Sequence, residues 1–213
     1  MSFAAAVFLG LGMGVKHALE ADHLAAVCTL VARDGSVSRA AKVGALWGLG
    51  HSAVLVLAGG VLVAVGASVP APIAAALDLA VALMLIFLGG AALRSMLANA
   101  GAGARASKEA PTTRSGALGR PIAVGLIHGA SGTAALTLLA ASTISVRLHA
   151  IAFVVLFGLA SVAGMAIVAA AVAWPLRSAA RRAPSAMRFL QGLAGAASIA
   201  AGLVILATVS GVL

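Results

Sequence analysis

The chain has few aromatic and few charged residues, and it lacks tyrosine. Aromatic residues make up 4% and charged residues 9% of its 213 positions, whereas hydrophobic residues make up 62%. An ordinary soluble domain carries about 25% charged residues, and a disordered chain has far less apolar content. The composition therefore excludes both classes. Cys28 is the only cysteine, so neither an intramolecular disulfide nor a thiol pair that shuttles electrons can form.

The few charges are mostly basic. Fourteen Lys and Arg against five Asp and Glu give a formal net charge of +9, and such an excess is typical of nucleic-acid binders. Those proteins also need a water-soluble body and aromatic side chains that stack on bases. Basic residues that flank apolar segments instead lie at a membrane surface. The sequence therefore predicts a lipid bilayer as the surroundings and no nucleic-acid partner.

Six apolar segments are long enough to cross a membrane. About 30 Å of hydrocarbon at about 1.5 Å per helical residue needs about 20 residues. The segments are 3–32, 43–66, 73–97, 120–142, 149–173 and 187–212. We therefore predict an all-α integral membrane protein with six transmembrane helices.

The basic residues predict the orientation of these helices. Twelve of the 14 lie in the segments 33–42, 94–120 and 175–188. By the positive-inside rule these segments are cytoplasmic, so both termini face outward. The predicted location is the inner (plasma) membrane of a prokaryotic-type cell.

The segment 98–119 separates two halves of three helices each. It is rich in Gly, Ala, Ser and Thr with scattered charges, which is typical of a flexible linker, here on the cytoplasmic side. The predicted units are thus a membrane repeat at 1–97, the linker, and a second repeat at 120–213. Because each half has an odd number of helices, the second half enters the membrane from the opposite side.

Two sequence echoes support an internal duplication. Leu46–Leu49 resembles Leu156–Leu159, and Gly14–His17 loosely resembles Gly125–His128. We therefore predict two inverted three-helix repeats, the arrangement of many secondary transporters. The binding sites of such transporters lie near the midplane, at the interface between the repeats.

Ionisable side chains inside the predicted spans are the strongest indication of function, because they are costly in hydrocarbon. Imidazole nitrogen and carboxylate oxygen together suit divalent first-row metals such as nickel, cobalt and zinc, whereas magnesium and calcium prefer oxygen alone. We predict a mid-membrane metal site formed by six residues: His17, Glu20, Asp22, His23, His51 and His128.

The first span cannot supply all its candidate ligands to one ion if it is a straight helix. His17 and His23 would lie about 9 Å apart along the axis, with Asp22 on nearly the opposite face. Two arrangements remain open. Either the helix unwinds locally, or Asp22 orients a ligand while His51 and His128 complete the site from other helices.

Four neighbouring residues have more ordinary interpretations. Met13 is predicted to pack against other helices, and the alternative is that it adds a soft thioether ligand to the site. Lys16 either extends to the membrane surface or pairs with Glu20. His149 is structural or contacts the substrate at the entry side. Asp78 is predicted to cap the N-terminus of the third span or to interact with its helix dipole.

Three motifs carry a resemblance to a known family. The pattern His17-x4-Asp22-His23 resembles the HX4DH signature of the nickel/cobalt transporter (NiCoT) superfamily, and Trp47–Ser52 looks like that superfamily's second histidine motif. The segment His-Gly-Ala-Ser-Gly-Thr that begins at His128 is similar to a motif of the shorter, six-helix UreH-like branch. The three motifs span most of the first four predicted helices.

The resemblance implies a permease for Ni2+ or Co2+ as substrate, with no cofactor. It implies that His17, Asp22 and His23 are essential for handling the metal and that His51 contributes. The chain departs from the larger transporters, which have eight spans and commonly an Asp-Asn pair where this chain has Cys28–Thr29. Selectivity and direction therefore stay open, since the relatives include importers and exporters.

We predict a secondary transporter for Ni2+ or Co2+ that works in uptake. The alternatives are a metal efflux permease and a metal-independent exporter of an anion or amino acid. The chain has no GxxxxGK[ST] loop, so we do not expect it to hydrolyse ATP. Protonation of the histidines would release the ion, because metal binding needs the neutral ring. A homo-oligomer stays open as a further partner.

An enzyme is the least supported class. Gly129–Gly132 fits the GxSG motif of rhomboid-type intramembrane proteases, with Ser131 as the nucleophile. A nucleophilic serine needs a base, and those proteases place a histidine on the sixth span. The segment 187–212 contains none, so we predict that the protein is not an enzyme.

Overall fold

The computed structural model describes residues 1–31, 36–65, 69–101, 119–130, 143–182 and 184–211. The helices are α1 (Phe3–Ala18), α2 (Ala21–Val31), α3 (Val37–Val54), α4 (Gly60–Val65), α5 (Ala71–Gly101), α6 (Gly119–Gly129), α7 (Arg147–Arg182) and α8 (Pro184–Val209). A π-helical turn, Leu55–Gly59, joins α3 to α4. These described ranges contain no strand, so the predicted all-α class is confirmed.

Four helical stretches are long and apolar enough to cross a membrane, and the bent pair α1 and α2 is a fifth if it forms one span. The four are Val37–Leu62, Ala71–Leu97, Arg147–Pro175 and Arg188–Val209, close to the predicted bounds. Of the predicted fourth span, 131–142 lie outside the described residues. Six spans therefore stay a prediction.

The predicted first span is two helices and not one. The axes of α1 and α2 differ by 57° at a break over Leu19 and Glu20. The N–H groups of these two residues donate to the carbonyls of Lys16 and His17, each at 3.0 Å, which closes α1 with a tight turn. Local unwinding, one of the two arrangements that the sequence left open, is what the structure has.

The three predicted cytoplasmic segments are partly helical. Helix α3 begins at Val37, inside the segment 33–42. The segment 175–182 continues α7 beyond the apolar stretch, with Pro175 inside the helix, and α8 begins at Pro184. Alanine and arginine are strong helix formers, which explains why this segment does not become a loop. Similarly, α5 continues to Gly101, four residues into the predicted linker; residues 102–118 lie outside the part described.

Glycines allow α1 to lie directly on α7. A Cβ on Gly10 would be 2.7 Å from the carbonyl oxygen of Phe153, and one on Gly14 would overlap the carbonyl of Phe157. Both contacts advance along the chain in the same direction, so the two helices are parallel. Small residues promote this packing because lipid supplies no hydrophobic drive between helices.

The pair α6 and α3 repeats this geometry. A Cβ on Gly125 would overlap the carbonyl of Trp47, and a Cβ on Gly129 would overlap that of His51. These helices are also parallel. These contacts fix the position of α6 along the axis of α3, next to the turn that carries His51.

Candidate metal centre

The break between α1 and α2 brings His17 and His23 together. Their ring centroids lie 4.4 Å apart in an edge-to-face arrangement. A straight helix would separate the two residues by about 9 Å along its axis. The bend at Leu19 and Glu20 therefore brings the rings of His17 and His23 into contact.

Helix α3 adds His51 to this pair. The Nε2 atoms of His17 and His51 lie 2.7 Å apart, and the ring centroids of His23 and His51 lie 5.0 Å apart. All three side chains are buried. Each offers one ligand atom within 4.8 Å of the others, so this set could hold a metal ion.

Two carboxylates lie against the Nδ1 sides of these rings. Asp22 Oδ1 is 3.0 Å from His23 Nδ1 and also accepts the backbone N–H of His23 at 2.9 Å. Glu20 Oε2 is 3.0 Å from His17 Nδ1, at ion-pair distance but without hydrogen-bond alignment. A carboxylate at Nδ1 favours the tautomer whose Nε2 carries the lone pair. Lys16 is exposed, and Glu20 pairs with His17 in its place.

Helix α6 supplies His128 from the other half of the chain. Its Nε2 lies 2.9 Å from Asp22 Oδ2, and its ring centroid is 4.5 Å from that of His23. Asp22, His23 and His128 form a second set whose ligand atoms lie within 4.8 Å of one another. Asp22 therefore contacts two histidines, one from each half.

One comparison with known proteins gives a match. The chain is similar to the urease accessory protein UreH of Bacillus sp. (strain TB-90), with 26% identity over 188 residues that cover 86% of this chain and 82% of that protein. The predicted resemblance to the UreH-like branch of the nickel/cobalt transporter superfamily is confirmed. No family profile and no solved structure matches the chain. The relative is named as an accessory protein and not as an enzyme, in line with the predicted class.

Two aromatic residues of the site were not assigned a role from the sequence. Trp47 is fully buried, with its ring 5.4 Å from that of His23 and 5.6 Å from that of His128. Phe157 packs against His17 at 5.3 Å. The sequence signal that could have identified them is the similarity between Leu46–Leu49 and Leu156–Leu159. Both rings pack against histidines of the site.

The remaining candidates lie elsewhere. Met13 packs against the cluster of Ala6 and Phe153, in line with its packing interpretation. His149 Nδ1 is 2.9 Å from the carbonyl oxygen of Met1, away from the other histidines.

The capping role predicted for Asp78 is wrong, because α5 already begins at Ala71. Asp78 thus lies within the helix and not at its N-terminus. The serine of the GxSG motif, Ser131, lies outside the described residues.

Proposed function

We propose that the chain is a secondary transporter that carries Ni2+ or Co2+ through the bilayer, in the direction of uptake. The observation that carries this proposal is the buried set His17, His23 and His51. Two of its rings face a carboxylate with Nδ1, as metal-binding histidines almost always do. The similarity to UreH supports a nickel-related role.

The distances within the set suit an ion of this class. A first-row metal binds imidazole nitrogen at about 2.1 Å, so neighbouring ligands at about 90–110° lie about 3.0–3.4 Å apart. The two Nε2 atoms of His17 and His51 are 2.7 Å apart, close to that range. Nitrogen ligands favour nickel, cobalt and zinc over magnesium and calcium.

We also propose six spans in two inverted repeats, with the site at their interface. The echo equates Gly14 with Gly125 and Trp47 with Phe157. If each residue is replaced by its equivalent in the other half, the contact between Gly14 and Phe157 maps onto the contact between Gly125 and Trp47. The structure has both contacts. This exchange supports the repeat, since each contact joins two parallel helices from opposite halves.

The remaining parts of the proposal follow from charge and hydropathy. The chain lies in the inner membrane of a prokaryotic-type cell with both termini outside, because its basic residues concentrate between spans on one side. Lipid surrounds the four to five candidate spans. A divalent transition-metal ion is the substrate.

The decisive experiment is uptake of 63Ni2+ into proteoliposomes of known orientation, with Co2+, Zn2+ and Mg2+ as competitors. We expect saturable uptake that Co2+ inhibits and Mg2+ does not. His17→Ala and His23→Ala should each abolish it, whereas His149→Ala, a histidine outside the site, should retain it. Wild-type uptake of 63Ni2+ in both site variants would mean that the metal site lies elsewhere, and absence of 63Ni2+ transport in the wild type would favour a metal-independent exporter. Movement only from the cytoplasmic face would indicate efflux.

A further inference from the structure

We infer that the site contains two alternative metal positions that share His23, and that the ion crosses the bundle by moving from one to the other. The first position is His17, His23 and His51; the second is Asp22, His23 and His128. This inference rests on the proposed function, because it describes how the same residues would pass on the ion.

The geometry favours two positions over one site with five ligands. Two ligands of one first-row metal ion, each at about 2.1 Å, cannot be more than about 4.2 Å apart. Each set of three is close to that limit, with its ligand atoms within 4.8 Å of one another. Among the described residues, His51 and His128 do not fall into one such set, whereas His23 belongs to both.

The chemistry of His23 makes the two positions exclusive. A neutral imidazole has one protonated nitrogen and one lone-pair nitrogen. His23 Nδ1 faces Asp22 at 3.0 Å, on the side of the second position. Its Nε2 is buried with no hydrogen-bond partner among the described residues, and it is the nitrogen left for the first position.

Transfer of the ion therefore changes the nitrogen that His23 uses. As the ion arrives at Nδ1, that atom releases its proton to water, and Nε2, which the ion has left, takes up a proton from water. The ring keeps a single proton and stays neutral, so it can serve only one ion at a time. One chain should accordingly hold one ion although it has two positions.

Asp22 connects this transfer to the two halves of the chain. In the structure its carboxylate contacts His23 on α2 at 3.0 Å and His128 on α6 at 2.9 Å. An ion in the second position replaces both hydrogen bonds by coordination. The position of the ion and the contact between α2 and α6 thus change together.

The test uses purified full-length protein in nanodiscs, with Ni2+ binding measured by equilibrium dialysis and imidazole ligands counted by X-ray absorption. His128→Asn removes only the second position, and His51→Asn only the first. His149→Asn is the matched control. Uptake of 63Ni2+ is measured in parallel, and His128→Gln and His51→Gln replace any variant that is not recovered as folded protein.

We expect one Ni2+ per chain in the wild type and in both site variants. His128→Asn should show three imidazoles, and His51→Asn two imidazoles with a carboxylate. Both should lose uptake by at least about tenfold, as is typical when a residue that supports a metal site is removed, while His149→Asn should match the wild type.

Three results would overturn the inference while leaving the proposed function intact. They are two Ni2+ per wild-type chain, loss of all binding in His51→Asn, and unchanged uptake in His128→Asn. Failure of the wild type to bind or transport Ni2+ would instead overturn the proposed function, and the inference with it.

Discussion

The Nε2 atoms of His17 and His51 face each other at 2.7 Å, although the residues are 34 positions apart in the chain. Two ring nitrogens at this distance need a proton or a cation between them, since their lone pairs repel each other. The helices α1 and α3 therefore present a preformed pair of ligands.

Bound Ni2+ should stabilise the protein through this pair. At about 100 times the Kd, a ligand that binds only the folded state contributes about 2.7 kcal/mol. We expect a rise in the Tm of the purified protein with Ni2+ and none with Mg2+. His23→Ala, which removes the ligand that both sets share, should remove the rise; the same shift in that variant would mean that the ion binds elsewhere.

Replacing Glu20 should weaken metal binding without removing a ligand. Glu20 Oε2 lies 3.0 Å from His17 Nδ1, and loss of such an orienting partner typically costs about 10–100-fold in affinity. We expect a loss of this size in Glu20→Ala and also in Glu20→Gln, because the contact has ion-pair distance without hydrogen-bond alignment and an amide carries no charge. Equilibrium dialysis measures both, and wild-type affinity in Glu20→Gln would argue against a role for the charge.

A methyl group at Gly129 should force α6 away from α3. It would overlap the carbonyl of His51, and overpacking costs about 1–3 kcal/mol. We expect Gly129→Ala to lower the Tm and to weaken Ni2+ binding, because α6 carries His128. Gly12→Ala is the matched control, since nothing lies within 4 Å of that position. Equal Tm values for the two variants would contradict the close contact.

Trp47 should report on the bound ion. Its ring lies 5.4 Å from that of His23 and 5.6 Å from that of His128, so a paramagnetic ion between them is close enough to quench its emission. In Trp174→Phe, which leaves Trp47 as the only tryptophan, we expect saturable quenching by Co2+ but not by Mg2+. Adding His23→Ala should eliminate it. In Trp47→Phe the exposed Trp174 should show no saturable response.

The helices that consist of one continuous run of apolar residues could be predicted from the sequence. The predicted spans 73–97 and 149–173 agree with Ala71–Leu97 and Arg147–Pro175. An apolar segment in hydrocarbon forms a helix because its backbone N–H and C=O groups have no water to bond to. For the first span two arrangements stayed open, and the structure has the locally unwound one. Its break over Leu19 and Glu20 carries no proline or glycine to mark it, so its position could not be predicted from the local sequence.

The residue types of the site were likewise evident before the structure, since histidines and acids in an apolar segment stand out against their surroundings. The sequence alone indicated an all-α protein with membrane-length apolar segments, in which histidines and carboxylates stand out as rare ionisable groups. Only the tertiary structure decided the pairings, with Glu20 at His17 and Asp22 between His23 and His128. The physical reason is separation along the chain: His128 meets Asp22 across 106 positions, and such a contact depends on how whole helices pack.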